Sequence, residues 1–176
     1  EHTRTEDGLD VRFAVNALAP YILTKRLLPL IPKHGRVVNI SSAAQAPVSI
    51  EAMQGKKKLD DFGAYAQSKL AITMWSKALS ESEAPSIIAL NPASYLGTKM
   101  VKEGFGMDGK PLSIGADIIR DAALSKKFDN ANGKYFDNDS GSFRPPHQDG
   151  TNIAKCRALV EEMDKMLTDM GIEGFN

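Results

Sequence analysis

Two short apolar runs constrain this chain more than any other feature. Arg36-Val37-Val38-Asn39-Ile40-Ser41-Ser42 follows Gly35, and Ser86-Ile87-Ile88-Ala89-Leu90 stops at Asn91-Pro92. β-Branched runs of this length, bounded by turn residues, read as buried strands. Between them Ala71, Met74, Trp75, Ala78 and Leu79 recur at steps of three and four, which predicts an amphipathic helix from about Ala64 to Glu83. Ahead of the first run, Val11, Val15, Leu18, Ile22, Leu23, Leu27 and Leu30 mark a longer helix from Leu9 to Leu30. Pro20 lies inside it, so a kink is expected near Asn16. A helix capped by Ser113 and running to Leu124, a third strand at Lys134-Tyr135-Phe136, and a tail helix from Thr151 to Met170 complete the pattern. This alternation predicts an α/β fold, a Rossmann-like open parallel sheet with flanking helices and right-handed crossovers. Three strands make a thin sheet, so its N-terminal part is expected to lie outside these residues.

Composition narrows the function. The 176 residues read as a single domain, 1–176. They carry 22 basic and 22 acidic side chains, a balance that argues against nucleic acid as a partner. Lys56-Lys57-Lys58, followed by Asp60 and Asp61, reads as a solvated loop within the long connection from 43 to 63. Cys156 is the single cysteine, which excludes an internal disulfide, and no metal-ligand spacing is present. The sequence predicts no membrane span, and a reducing cytoplasm is the expected location. The start, Glu1 to Gly8, has neither an initiator Met nor an apolar signal core, so an incomplete chain is expected.

The candidate chemistry gathers at one edge of the predicted sheet. Tyr65 and Lys69 are four residues apart, hence neighbours on one helix face, which the periodicity turns away from the core. A phenol is a poor base at neutral pH, but a fixed ammonium beside it favours the phenolate and lets it exchange protons with an alcohol oxygen. Ser41-Ser42 ends one strand and Asn91-Pro92 the next, at the edge where ligands of open α/β sheets bind. Asn16 sits beside the expected kink, where a freed carbonyl and a side-chain amide could hold a water.

With these residues in place the chain resembles the short-chain dehydrogenase/reductase family over nearly all its length. The matching residues are Val15-Asn16, Ala19-Pro20 and Leu23-Thr24, then Arg36 to Ser42, then Tyr65 to Lys69 with Leu70-Ala71, then Asn91-Pro92 with Thr98. The loop around Gln54-Gly55-Lys56 is similar to that of the retinol-dehydrogenase-like branch. The resemblance implies that Tyr65 is the acid/base and that Ser42 hydrogen-bonds the substrate oxygen. It implies that Lys69 binds the nicotinamide ribose and favours the Tyr65 phenolate, and that Asn16 holds a water completing a proton relay. Asn91, Pro92, Ala93 and Thr98 would line the nicotinamide end of NAD or NADP, whose hydride does the redox step. The family usually has Gly where Ala93 stands, so the backbone is expected to approach the cofactor less closely there. Its glycine-rich phosphate turn has no counterpart, and about three βαβ units are expected before Glu1.

Other motifs carry less. Gly104-Phe105-Gly106-Met107-Asp108-Gly109 spells a dinucleotide fingerprint but lacks the strand before it and is followed by Lys110-Pro111; a mobile substrate lid is the better reading. Asp137 to Gly141 lacks the Gly and Glu of a calcium loop and reads as a turn. His34 and His147 are expected in exposed loops, Cys156 as a buried thiol, and Met163, Met166 and Met170 as packing. The expectation is an oxidoreductase interconverting an alcohol with a ketone or aldehyde, its partners a small-molecule substrate and further copies of itself. The alternative is a truncated, catalytically silent α/β module acting by association, and a third reading is an α/β hydrolase using Ser42.

Overall fold

Pro20 shapes the first helix, because it brings no N–H to the carbonyl four residues back, that of Asn16. The computed structural model, which describes residues 3–81 and 85–175, shows the consequence. Helix α1 consists of an α turn at Val11–Phe13, a π segment at Ala14–Leu18 and an α segment at Ala19–Leu27. The Ala19 amide reaches back to the Ala14 carbonyl, so the expected kink is a π bulge centred on Asn16.

Strand β1 follows at Arg36–Ile40 and is succeeded by helix α2 at Asp61–Leu79. Asp60 caps α2 by accepting the Gly63 amide at 2.6 Å, so the helix starts three residues before Ala64. Apolar periodicity could not see that first turn, which is held by a polar cap and an acidic residue instead. The expected end at Glu83 lies outside the described residues. The connection before α2 is not loop throughout: Ile50–Met53 forms a helical turn that buries Ala52 and Met53, whereas Lys56 to Lys58 are exposed as expected.

The remaining elements are β2 (Ser86–Asn91), α3 (Lys99–Phe105), α4 (Leu112–Leu124), β3 (Tyr135–Asp137), β4 (Ser142–Phe143) and α5 (Ile153–Asp169). The sheet order is β1-β2-β3-β4. β1, β2 and β3 run parallel, with Val38 opposite Ile88 and Ala89 opposite Tyr135. β4 is antiparallel to β3, pairing Phe143 with Phe136, so the sheet is mixed rather than purely parallel. The sequence reading stops at three strands because a two-residue strand shows no alternation. Ser113 does not cap α4; Pro111 stands at that position and Ser113 lies in the first turn. The tail is divided, Gln148–Thr151 forming a separate turn before Asn152 caps α5.

Helices cover both faces. On one, Phe13 and Tyr21 of α1 meet Trp75 of α2 and Met163 and Leu167 of α5 in a common core, with Tyr21 edge-on to Trp75 at 5.6 Å between ring centroids. On the other, Ile88, Leu90 and Phe136 pack against Ile118 of α4 and Phe128. Cys156 is buried and His34 exposed, as expected. Among the described strands β1 forms one edge, with Val37 and Val38 only half-buried, while β2 is buried from Ile87 to Asn91.

One buried polar pair fixes β1 against α2: Asn39 donates from Nδ2 to Ser76 Oγ at 2.8 Å, and Ser76 donates onward to the Ile72 carbonyl. Ser76→Ala leaves the Asn39 amide unpaired in the interior. It is expected to lower stability by about 1–3 kcal/mol, read as a reduced midpoint in urea denaturation.

Candidate active site

Beyond Ile40 the two serines take different tasks. Ser41 is buried; its hydroxyl donates to the Lys69 carbonyl at 2.9 Å and shares a 2.7 Å hydrogen bond with Thr73, a purely structural placement. Ser42 is half-buried, and its oxygen accepts the Ala44 amide at 3.1 Å, leaving its own O–H to donate elsewhere. The Ser42 carbonyl is held by two donors, the Tyr135 hydroxyl and Gln45 Nε2, each at 3.0 Å. Gln45 in turn accepts the His147 amide at 2.9 Å. His147 is therefore half-buried and engaged rather than a free loop residue.

α2 is buried along almost its whole girth between Leu70 and Ser76. Tyr65 and Lys69 are half-buried and stand outside both core clusters, and the Lys69 amine reaches the end of β1. Polar Ser68, Thr73 and Ser76 are buried through hydrogen bonds, so the apolar stripe understates the covered surface of the helix. Lys69 donates from Nζ to the Ile40 carbonyl at 2.9 Å, and the amine lies 5.7 Å from the centroid of the Tyr65 ring. Burial lowers the Lys69 amine to a pKa of about 8. The Tyr65 side chain is half-buried, and its hydroxyl has no hydrogen-bond partner among the described residues.

The π bulge turns Asn16 towards the same helix, where its Nδ2 donates to Ser68 Oγ at 3.1 Å. Asn16 and Lys69 lie together on the lining of a groove of about 460 Å³ beside β1, which also touches Val15, Leu23, Leu27 and Ile40.

The second strand end is a scaffold. Asn91 is buried and donates from Nδ2 to Asp137 and Asp139 at 2.8 and 2.9 Å. Asn138 holds the Pro92 carbonyl at 2.9 Å, and Thr98 caps α3 through the Val101 amide. Asp139 also receives the Ser94 amide and hydroxyl and the Lys110 amine. Burial alone would raise its pKa, but the Ser94, Asn91 and Lys110 donors outweigh it and bring the carboxyl down to about 2. Thus Asn91 and Thr98 spend their side chains on the frame, and Pro92 and Ala93 present backbone.

Sequence reading missed Tyr135, Gln45 and Asp139. Tyr135 was visible only as a strand residue, and no local pattern links it to Ser42, 93 positions away. The acidic run at Asp137 to Asp139 was visible as a turn; among the described residues no cluster suited to a metal exists, and these carboxylates collect protein donors instead. Gly104 to Gly109 closes a helix rather than opening one, with Gly106 left-handed as the cap of α3.

The donor set fits the nicotinamide riboside end of a dinucleotide. Lys69 keeps two N–H donors beyond the one given to Ile40, and the Ser42 and Tyr65 hydroxyls are uncommitted, as a ribose diol and a substrate oxygen require. Among the described residues no strand, glycine turn and helix follow one another in the manner that receives a pyrophosphate.

Ala93 has φ +133°, a region that L residues rarely enter. Holding it there costs about 1–3 kcal/mol, and glycine removes that strain at an entropic cost of about 0.5–1 kcal/mol. Ala93→Gly is therefore expected to stabilise the protein by about 1 kcal/mol, seen as a higher urea midpoint with an unchanged slope.

Comparison with known proteins bears on the family and the fold. The family model described as short chain dehydrogenase matches residues 1–107. Retinol dehydrogenase 13 of Mus musculus is 28% identical over 176 residues, covering 88% of this chain and 53% of the relative. Polyprenol dehydrogenase of Danio rerio is 37% identical over 86 residues, 44% of this chain and 26% of the relative. The chain spans about half the length of the retinol dehydrogenase relatives it matches. A crystal structure of an uncharacterized protein from Mycobacterium paratuberculosis superposes with a TM-score of 0.71 at 20% identity, covering 93% of this chain and 61% of that one. Carbonyl reductase Sniffer of D. melanogaster gives 0.53 at 22% identity, over 79% and 57%. No helix among the described residues is long and apolar enough to cross a membrane. By the family match over residues 1–107 and by its retinol dehydrogenase relatives, the chain belongs to the short-chain dehydrogenase family, in its retinol-dehydrogenase-like branch.

Proposed function

We propose that this chain is the catalytic portion of an NAD(P)-dependent oxidoreductase that interconverts an alcohol and a ketone or aldehyde. The carrying observation is the Lys69 amine, tethered to the Ile40 carbonyl at 2.9 Å and set 5.7 Å from the Tyr65 ring, beside a Ser42 whose O–H is uncommitted. When bound, NAD or NADP supplies or accepts the hydride. In the oxidation direction Tyr65, as phenolate, takes the proton of the substrate hydroxyl while the carbinol carbon gives up its hydride and the carbonyl forms. Ser42 donates a hydrogen bond to the same oxygen throughout. Lys69 stabilises the phenolate and binds the ribose hydroxyls, and Asn16, beside Ser68, relays the proton from Lys69 towards solvent through a water. Asn91, Pro92, Ala93 and Thr98 shape the nicotinamide end, Asn91 and Thr98 by fixing the backbone.

Two relatives bear the names of retinol and polyprenol, both long apolar alcohols, so an apolar alcohol is the first substrate to assay. In the full-length protein, Tyr65→Phe is expected to lower turnover by about 10²–10⁴-fold with NADH or NADPH binding, followed by cofactor fluorescence, retained. Activity within a few fold of the parent contradicts the proton-transfer role.

One observation favours a second reading, association without catalysis. Among the described residues the groove beside β1 runs along an open strand edge, and α1 leaves Val15, Leu23 and Leu27 exposed on its lining. Such an edge invites pairing with a further strand, including that of another copy. Sedimentation with and without NADH separates the readings: self-association without dinucleotide binding favours this one, and a species that binds NADH at micromolar levels favours the enzyme.

A further inference from the structure

A second cavity, of about 340 Å³, opens between α2, β3, β4 and the segment after β4. Its lining contains none of Asn16, Ser42, Tyr65 or Lys69. Its size is in the range of small-molecule sites. Ala89, Phe143, Pro145 and Pro146 give it apolar walls, and its charged members are Lys77, Lys134 and Arg144.

The polar groups of the wall divide into two kinds. The hydroxyls are already used: Thr73 donates to the Lys69 carbonyl, Ser76 to the Ile72 carbonyl, Tyr135 to the Ser42 carbonyl and Thr151 to the Gln148 carbonyl. The three cations form no ion pair with a carboxylate among the described residues, although Lys77 lies near enough to Glu81 to help lower its carboxyl, and no carboxylate lines the cavity. Lys134 rests over the Phe143 ring, its amine 5.6 Å from the centroid. Nearby acids are committed elsewhere, Glu81 to Arg157 at 2.6 Å and Asp149 to Lys155 at 2.5 Å. Three cationic residues on the lining of one mostly apolar hollow, with no carboxylate beside them there, favour a bound anion.

We propose that this cavity binds a small organic anion, a carboxylate carried on a short apolar body. The carboxylate meets Lys77, Lys134 and Arg144, of which Arg144 can grip it in bidentate fashion, and the apolar body lies against Ala89, Phe143 and the two prolines. At about 30 Å³ per water, the space holds roughly ten non-hydrogen atoms, the size of an eight-carbon acid. Tyr135 lines the cavity and also holds the Ser42 carbonyl, so an occupant touches the wall that positions the serine.

Isothermal titration calorimetry of the full-length protein with octanoate tests this, with octanamide as the neutral control. One octanoate is expected to bind per chain, at least about tenfold more tightly than octanamide, and more weakly as salt is raised. Lys77→Gln, Lys134→Gln and Arg144→Gln should each weaken octanoate at least about threefold. Thr151→Trp, which fills the cavity from its exposed rim without touching a charge, should abolish binding. Octanamide binding as tightly as octanoate overturns the proposal, as does unchanged octanoate affinity in the three charge variants or in Thr151→Trp.

Discussion

The hydrogen bond from Lys69 Nζ to the Ile40 carbonyl holds the candidate site together. Ile40 is the last residue of β1, so its carbonyl is one that the parallel ladder can leave to an outside donor, and an ammonium bonds it more strongly than an amide would. The bond draws α2 over the strand end. Ser41, Thr73 and the Lys69 carbonyl form one hydrogen-bonded cluster, so the same residue is gripped from its backbone as well. Tyr65 stands one turn earlier on the same helix, and Ser42 follows Ile40 by two residues. Burial of the amine is the cost of this arrangement and is visible in its lowered pKa.

The other half of the edge is held by anions. Asp139 gathers donors from Ser94, Asn91 and Lys110, and Asp137 takes the second Asn91 proton. Together they pin the turn after β3 to the segment after β2, which includes the strained Ala93. Tyr135 joins the two halves by reaching from β3 to the Ser42 carbonyl. The loops that carry the candidate chemistry are thus braced by charge-assisted hydrogen bonds rather than by apolar packing, which suits residues that must stay open to a ligand.

What could be read from the sequence followed from local physics. The strands at 36–40 and 86–91 are β-branched and apolar, and Pro20 forces its own distortion, so both were legible. The family was legible too, because Arg36 to Ser42, Tyr65 to Lys69 and Asn91-Pro92 carry its pattern together, although the Tyr65–Lys69 spacing alone is a weak signal. The misses have two causes. Polar caps and two-residue strands leave no apolar rhythm, which hid the start of α2 and the whole of β4. Long-range partners such as Tyr135 and Asp139 become neighbours of Ser42 and Ser94 only through sheet order, which no local window contains.

The titration of the Lys69 side chain, followed by NMR of its ε-methylene and Nζ, tests the central claim most directly. A folded amine at about 8 against an ordinary 10.5 means that the unfolded chain binds more protons between those values, so stability should rise as pH increases across that window. The account predicts a Lys69 midpoint near 8, and loss of that pH-dependent rise in Lys69→Met. A midpoint at the ordinary lysine value would mean that the amine is solvated rather than buried, and would contradict the assembly of the site.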